Sequence, residues 1–159
     1  MGVAGSGKST VGRGAADQLG WGFVDADDHH PEENVDKMRR GVPLDDDDRW
    51  PWLDALRDIV ERHVGKGESI VLACSALNAA YRSRLGVGLD HVRLVHLDVD
   101  RALLERRLSD RQGHFMSVEM LDGQLAALEP PRLDEALILD GSLPVEDLVE
   151  LVKAYACSS

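Results

Sequence analysis

A chain of 159 residues, 43% hydrophobic and 30% charged, is long enough for one domain with a buried core and too apolar for a disordered segment. Its formal net charge of −11 sets most of the surface against nucleic acid, so a phosphate-bearing partner must be met by cations gathered locally. No apolar run approaches the ~18 residues of a membrane span, and Cys74 and Cys157 make no disulfide framework, so no membrane partner and a cytoplasmic location are expected.

The chain opens MGVAGSGKST, in which Gly2 to Ser9 fits the phosphate-loop pattern G-x-x-x-x-G-K-[ST]. A helix is predicted over Lys8–Leu19, so that the amides of Ala4 to Ser9 wrap a β-phosphate at its positive start. Lys8 then reaches the β- and γ-phosphates, and the Ser9 hydroxyl ligates Mg²⁺. The expected nucleotide contacts are Gly2, Val3, Ala4, Gly5, Ser6, Gly7, Lys8, Ser9 and Thr10, with ATP and Mg²⁺ as the cofactors. Such a loop leaves the end of a strand, and here only Met1 precedes it. The first strand is therefore expected to be truncated, with native residues ahead of Met1.

Downstream, GFVDAD (Gly22 to Asp27) is a short strand ending in acids. Helices follow over Pro31–Arg40 and from about Asp48 to Val64, with prolines and acids suited to first turns; the run Asp45 to Asp48 reads as a helix start. Strands are expected at Ser69–Ala76, Val92–Asp98 and Ala136–Asp140, and helices at Asn78–Leu85, Arg101–Arg111, Val118–Leu128 and Pro144–Ala156. Apolar strands alternating with helices predict a parallel sheet covered on both faces, a three-layer α/β domain spanning 1–159. There is no N-K-x-D guanine-reading element and no D-x-x-G switch after a strand, so a small-molecule or nucleotide kinase fits better than a GTPase.

Several stretches occur together in one order: MGVAGSGKST, FVDADDHHP, NVDKMRRGVPLDDDDRWPWL, ACSALNAAYRSRL, HLDVD, RRLSDRQGHFM and LDGQLAALEPPRLDE. In this combination the chain resembles the P-loop gluconate kinases. The resemblance implies transfer of the ATP γ-phosphoryl group to the 6-hydroxyl of D-gluconate. It also implies a P-loop kinase fold with sheet order 2-3-1-4-5, a small lid at about 111–127, and a homodimer. Asp25 and Asp27 alternate along the expected strand, which turns them to opposite sides. Asp27 is the candidate to receive or orient the hydroxyl proton, and Asp25 faces the metal.

A sugar acid needs a cation away from the phosphates, and Arg49 and Arg82 are the candidates, with Tyr81 and Gln124 to read hydroxyls. For these four, packing or solvation is the competing reading. Arg107 and Arg111 lie four apart on one helical face. By resemblance Arg107 packs near the adenine and Arg111 meets the phosphates when the lid closes. His114 touches substrate or orients the lid. Three positions depart from the family pattern: Asn78 replaces a usual Lys, Ala26 a glycine, and His29 an apolar residue. The loss of charge at Asn78 keeps another small sugar acid or polyol in view as acceptor, and the short first strand keeps a non-catalytic nucleotide-binding module in view.

Overall fold

The computed structural model describes residues 1–110 and 118–158, with 118 and 119 described by backbone alone. Helix α1 (Lys8–Leu19) starts at Gly7 and runs to Gly20. Strand β1 (Gly22–Asp25) pairs in parallel with β2 (Ile70–Ala73), Asp25 opposite Ala73. Strand β3 (Val95–Asp98) pairs in parallel with β4 (Leu137–Asp140), Asp98 opposite Asp140. Helices α2 (Glu32–Arg39), α3 (Asp46–Gly65), α4 (Ala79–Arg84), α5 (Arg101–Ser109), α6 (Val118–Ala127) and α7 (Val145–Cys157) complete the chain.

Two apolar clusters show the layering. Leu53 and Leu56 of α3 pack with Tyr81 of α4, Leu85 and Cys74 on one side. Val11 and Ala15 of α1 pack with Leu148, Val149 and Val152 of α7 against Leu97 and Leu139 of β3 and β4 on the other. A third cluster joins Val3, Leu77, Leu104 and Leu121. This is the three-layer α/β arrangement expected of short apolar strands between amphipathic helices. The acidic run expected to start a helix does so. Asp45 caps α3 by accepting the Asp48 amide at 3.0 Å, and Asp48 returns the bond to the Asp45 amide at 3.1 Å.

Among the described residues the strands form two separate parallel pairs, and residues 1–3 form no strand of their own. Backbone bonds nevertheless reach from this segment to both sides. The Met1 amino group donates to the Val95 carbonyl, the Leu97 amide donates to the Met1 carbonyl at 3.0 Å, and the Gly2 amide donates to Ser75 at 3.4 Å. The stretch leading into the phosphate loop thus lies between the β2 side and the β3 side. A cavity of about 540 Å³ adjoins Met1 there, lined by Val71, Ala73, Val95 and Leu97 among others. Burial pushes the Cys74 thiol up to about 11, because its thiolate is not solvated there.

One expected boundary is corrected. The strand expected to continue to Asp27 stops at Asp25, whose Oδ1 accepts the Asp27 amide at 3.2 Å and starts a 3₁₀ turn over Ala26–His29. The alternation that would have turned Asp25 and Asp27 to opposite faces of a strand therefore does not operate. Ala26, where the family pattern has glycine, is fully buried in that turn and does not adopt a positive φ, so its backbone conformation does not call for glycine.

Candidate active site

The phosphate loop is shaped by its own backbone and by two neighbours. Gly7 sits at φ 92°, a conformation that favours glycine, and no atom lies within 4 Å of the place a Cβ would take. Gly2 is needed for closeness, since a Cβ there would stand 2.6 Å from Ser6 Oγ. Ser6 Oγ itself is buried without a hydrogen-bond partner among the described residues. Val3 is buried in the third cluster and anchors the start of the loop.

Not every amide in the expected cradle is open. The Ala4 amide donates to Gln124 Oε1 at 2.7 Å, and the Ser6 amide to the Val3 carbonyl at 3.2 Å. What the loop has left for an anion is the Gly5 and Gly7 amides and the first turn of α1, which carries Lys8, Ser9 and Thr10. Gln124, read from sequence as a hydroxyl reader, here ties α6 to the phosphate loop.

Arg107 closes the other side. Its Nη1 donates to the Gly5 carbonyl at 3.3 Å, and its Nη2 to the Gly141 carbonyl at 2.8 Å. Together with Gly5, Gly7, Thr10, Gly141 and Leu143 it lines a cavity of about 170 Å³ beside the loop. The 141–145 wall was not singled out from sequence. Its signal was a glycine directly after a parallel strand's C-terminal end, where ligands of open α/β sheets bind.

The acceptor corner is made by side chains from separate segments. Asp27 is exposed on the 3₁₀ turn, while Asp25 is half-buried and occupied at Oδ1 by the turn. Arg49 of α3 donates from Nη1 to the Tyr81 hydroxyl at 3.0 Å, and Tyr81 donates in turn to Asp46 Oδ1. Burial raises the Tyr81 pKa, and its bond to the Asp46 carboxylate raises it further, so the phenol stays protonated. Asp46 belongs to the acidic run that reads from sequence as a helix start, and no spacing signal links it to Tyr81.

Arg82 has a different setting. It is buried, and its Nη1 donates to the carbonyls of Glu129 at 2.8 Å, Leu77 at 3.4 Å and Ala76 at 3.5 Å. Ala76 holds φ 46°, unusual for a residue with a Cβ, and the guanidinium fastens the carbonyls of that turn. Asn78 is the N-cap of α4, its side chain accepting the Tyr81 amide at 2.9 Å. Arg111 and His114 lie outside the described residues.

A phosphate loop leading into α1, an arginine clamped across it, and carboxylates at the end of the neighbouring strand define a P-loop kinase. Residues 1–131 match the family model described as an AAA domain. The chain is 46% identical to a gluconokinase of Gluconobacter oxydans over 98% of its own length and 88% of that protein. It superposes on the crystal structure of a sugar kinase from Janibacter sp. with a TM-score of 0.90 at 42% identity, covering 98% of this chain and 90% of the other. On a gluconokinase from Sinorhizobium meliloti the TM-score is 0.84 at 39% identity, over 97% and 87% of the two chains. The chain belongs to the gluconokinase family.

No described helix is long and apolar enough to cross a membrane.

Proposed function

We propose that this chain transfers the γ-phosphoryl group of ATP to the 6-hydroxyl of D-gluconate, giving 6-phospho-D-gluconate. The observation that carries the reading is the joining of two unlike corners within one fold: an anion cradle at the phosphate loop, and an exposed Asp27 and the Arg49–Tyr81–Asp46 chain whose charges both reach His30. Lys8 and the first turn of α1 hold the phosphates, and Arg107 positions the loop and the nucleotide cavity beside it. Asp27 orients the attacking hydroxyl; in a loose phosphoryl-transfer transition state positioning matters more than basicity. Arg49 is the cation for the gluconate carboxylate, held by Tyr81 as a bidentate-capable guanidinium. Arg111 and His114 belong to the lid in this reading.

Among the described residues no three His, Cys, Asp or Glu side chains converge on a common point. The groups available to Mg²⁺ are the Ser9 hydroxyl and the Asp25 carboxylate, a set that suits an ion whose remaining ligands are nucleotide phosphates and water. When bound, the ion neutralises charge between the β- and γ-phosphates. The same reading takes the enzyme as a cytoplasmic homodimer.

A second reading follows from Asn78, which supplies a helix cap where the family pattern carries a cation: the acceptor is another small sugar acid. A coupled ADP-release assay across gluconate, other aldonates and shikimate separates the two. Preference for gluconate supports the first reading, and a higher kcat/KM for another acid replaces it with the second. ATP binding without turnover of any acceptor leaves only a nucleotide-binding module.

A further inference from the structure

His30 lies just past the 3₁₀ turn that carries Asp27, in extended backbone with φ −65° and ψ 136°. The following Pro31 restricts it to that region. Its imidazole stacks on the Trp52 indole, with centroids 4.2 Å apart and planes within 13°. Trp52 is itself buried and donates from Nε1 to the Ala26 carbonyl at 2.8 Å. One indole therefore fixes both the backbone between Asp25 and Asp27 and the plane of the His30 ring.

The two ring nitrogens differ. Nδ1 is buried and has no hydrogen-bond partner among the described residues. Nε2 is not enclosed in this way and makes no hydrogen bond among the described residues. With Nδ1 enclosed, only the Nε2 edge of the ring is left to meet a ligand, whereas a phenyl ring would fill the same stack without an unpaired polar atom. The charges this ring senses are those of Asp27 and Arg49, the two residues assigned above to the acceptor. Burial holds the imidazole in its neutral form, lowering its pKa, so that Nε2 can either donate or accept.

We propose that His30 is an acceptor-specificity residue, whose Nε2 hydrogen-bonds a hydroxyl of the sugar acid while the Trp52 stack holds the ring beside Asp27. The proposal rests on the reading of the site as a sugar-acid kinase. A polyol chain presents hydroxyls that both donate and accept, and a neutral imidazole edge matches either role. The ring is a positioning group and takes no proton from the reaction.

The test uses two variants of the full chain, with steady-state kinetics varied separately in gluconate and in ATP, and melting temperature as the control. His30→Phe keeps an aromatic ring on Trp52 and removes both nitrogens. The expected result is a gluconate KM raised at least tenfold, an ATP KM within twofold of wild type, and a melting temperature equal to or above that of wild type. His30→Gln places an amide near the Nε2 position, and is expected to recover at least threefold of the lost gluconate kcat/KM. A gluconate KM for His30→Phe within twofold of wild type overturns the proposal. So does a rise in both KM values with a lowered melting temperature, which is the pattern of a packing role, or a failure of His30→Gln to recover. If the wild-type chain does not turn over gluconate, the underlying reading falls and takes the proposal with it, whereas normal wild-type turnover with an unaffected Phe variant sinks the His30 assignment alone.

Discussion

The nucleotide corner and the acceptor corner of this kinase hold their chemistry by different means. The first is built on consecutive residues, Gly2 to Thr10, where the Gly5 and Gly7 amides and the start of α1 stay open while the Gln124 and Arg107 side chains brace the loop. The second is assembled from the 3₁₀ turn after β1, the start of α3 and the start of α4, and every contact is made by a side chain. Its parts stay in register only through the packing of Trp52, Tyr81 and their neighbours. A backbone-built site tolerates change in its surroundings; a side-chain-built site is where specificity can be altered by one substitution.

Variants that separate the two corners should therefore give separate kinetic signatures. The largest effect is expected from Asp27→Asn, with kcat falling by about 10²–10⁴ while ATP affinity by calorimetry stays within about twofold. Near-normal kcat would remove Asp27 from the reaction. Arg49→Gln comes next, raising the gluconate KM by about 10- to 100-fold with the ATP KM unchanged, as loss of a charge-assisted contact of about 1.5–3 kcal/mol requires. An equal rise in both KM values would mean that the corners are not independent.

Smaller effects test the scaffold under the acceptor corner. Asn78→Ala removes the cap of α4 and should cost about 1 kcal/mol in denaturant unfolding, with Asn78→Asp restoring it. The smallest effect concerns Lys37 and Asp48, paired across α2 and α3 at 2.6 Å. The hydrogen bond from Lys37 holds the Asp48 carboxyl below the usual carboxylate range. The unfolded chain then binds the proton first, so this contribution is complete above the unfolded pKa of about 3.9 and vanishes as pH falls through the lower folded value. Melting curves of wild type and Lys37→Met should differ at pH 7 and draw together as pH falls below the usual carboxylate range. A constant difference across that range would contradict the ion pair.

The contrast between corners also explains what could be read from the sequence. The helices and strands appear close to their expected places, because short apolar runs between amphipathic segments leave few alternatives. The phosphate loop was legible because its function needs adjacent residues. The end of β1 was not, because a single hydrogen bond from the Asp27 amide to Asp25 Oδ1 accompanies the diversion of the chain into a turn that strand periodicity does not register. Trp52 over His30, and Asp46 on Tyr81, join residues far apart in the chain, and no spacing rule links them. Asn78 could be seen as a lost cation but not as a helix cap until α4 was placed behind it. Likewise Arg82 gave the sequence signal of a ligand cation, while its guanidinium fastens the turn at Ala76.

The central claim is the position at which phosphate arrives, and the product itself reports it. Incubating the chain with ATP, Mg²⁺ and D-gluconate and recording a proton-coupled phosphorus spectrum of the product distinguishes the sites. Phosphate on the 6-oxygen couples to the two protons of a methylene group and gives a triplet, as this account predicts. A doublet, from phosphate on any of the secondary hydroxyls, or no new phosphate ester at all, would contradict it.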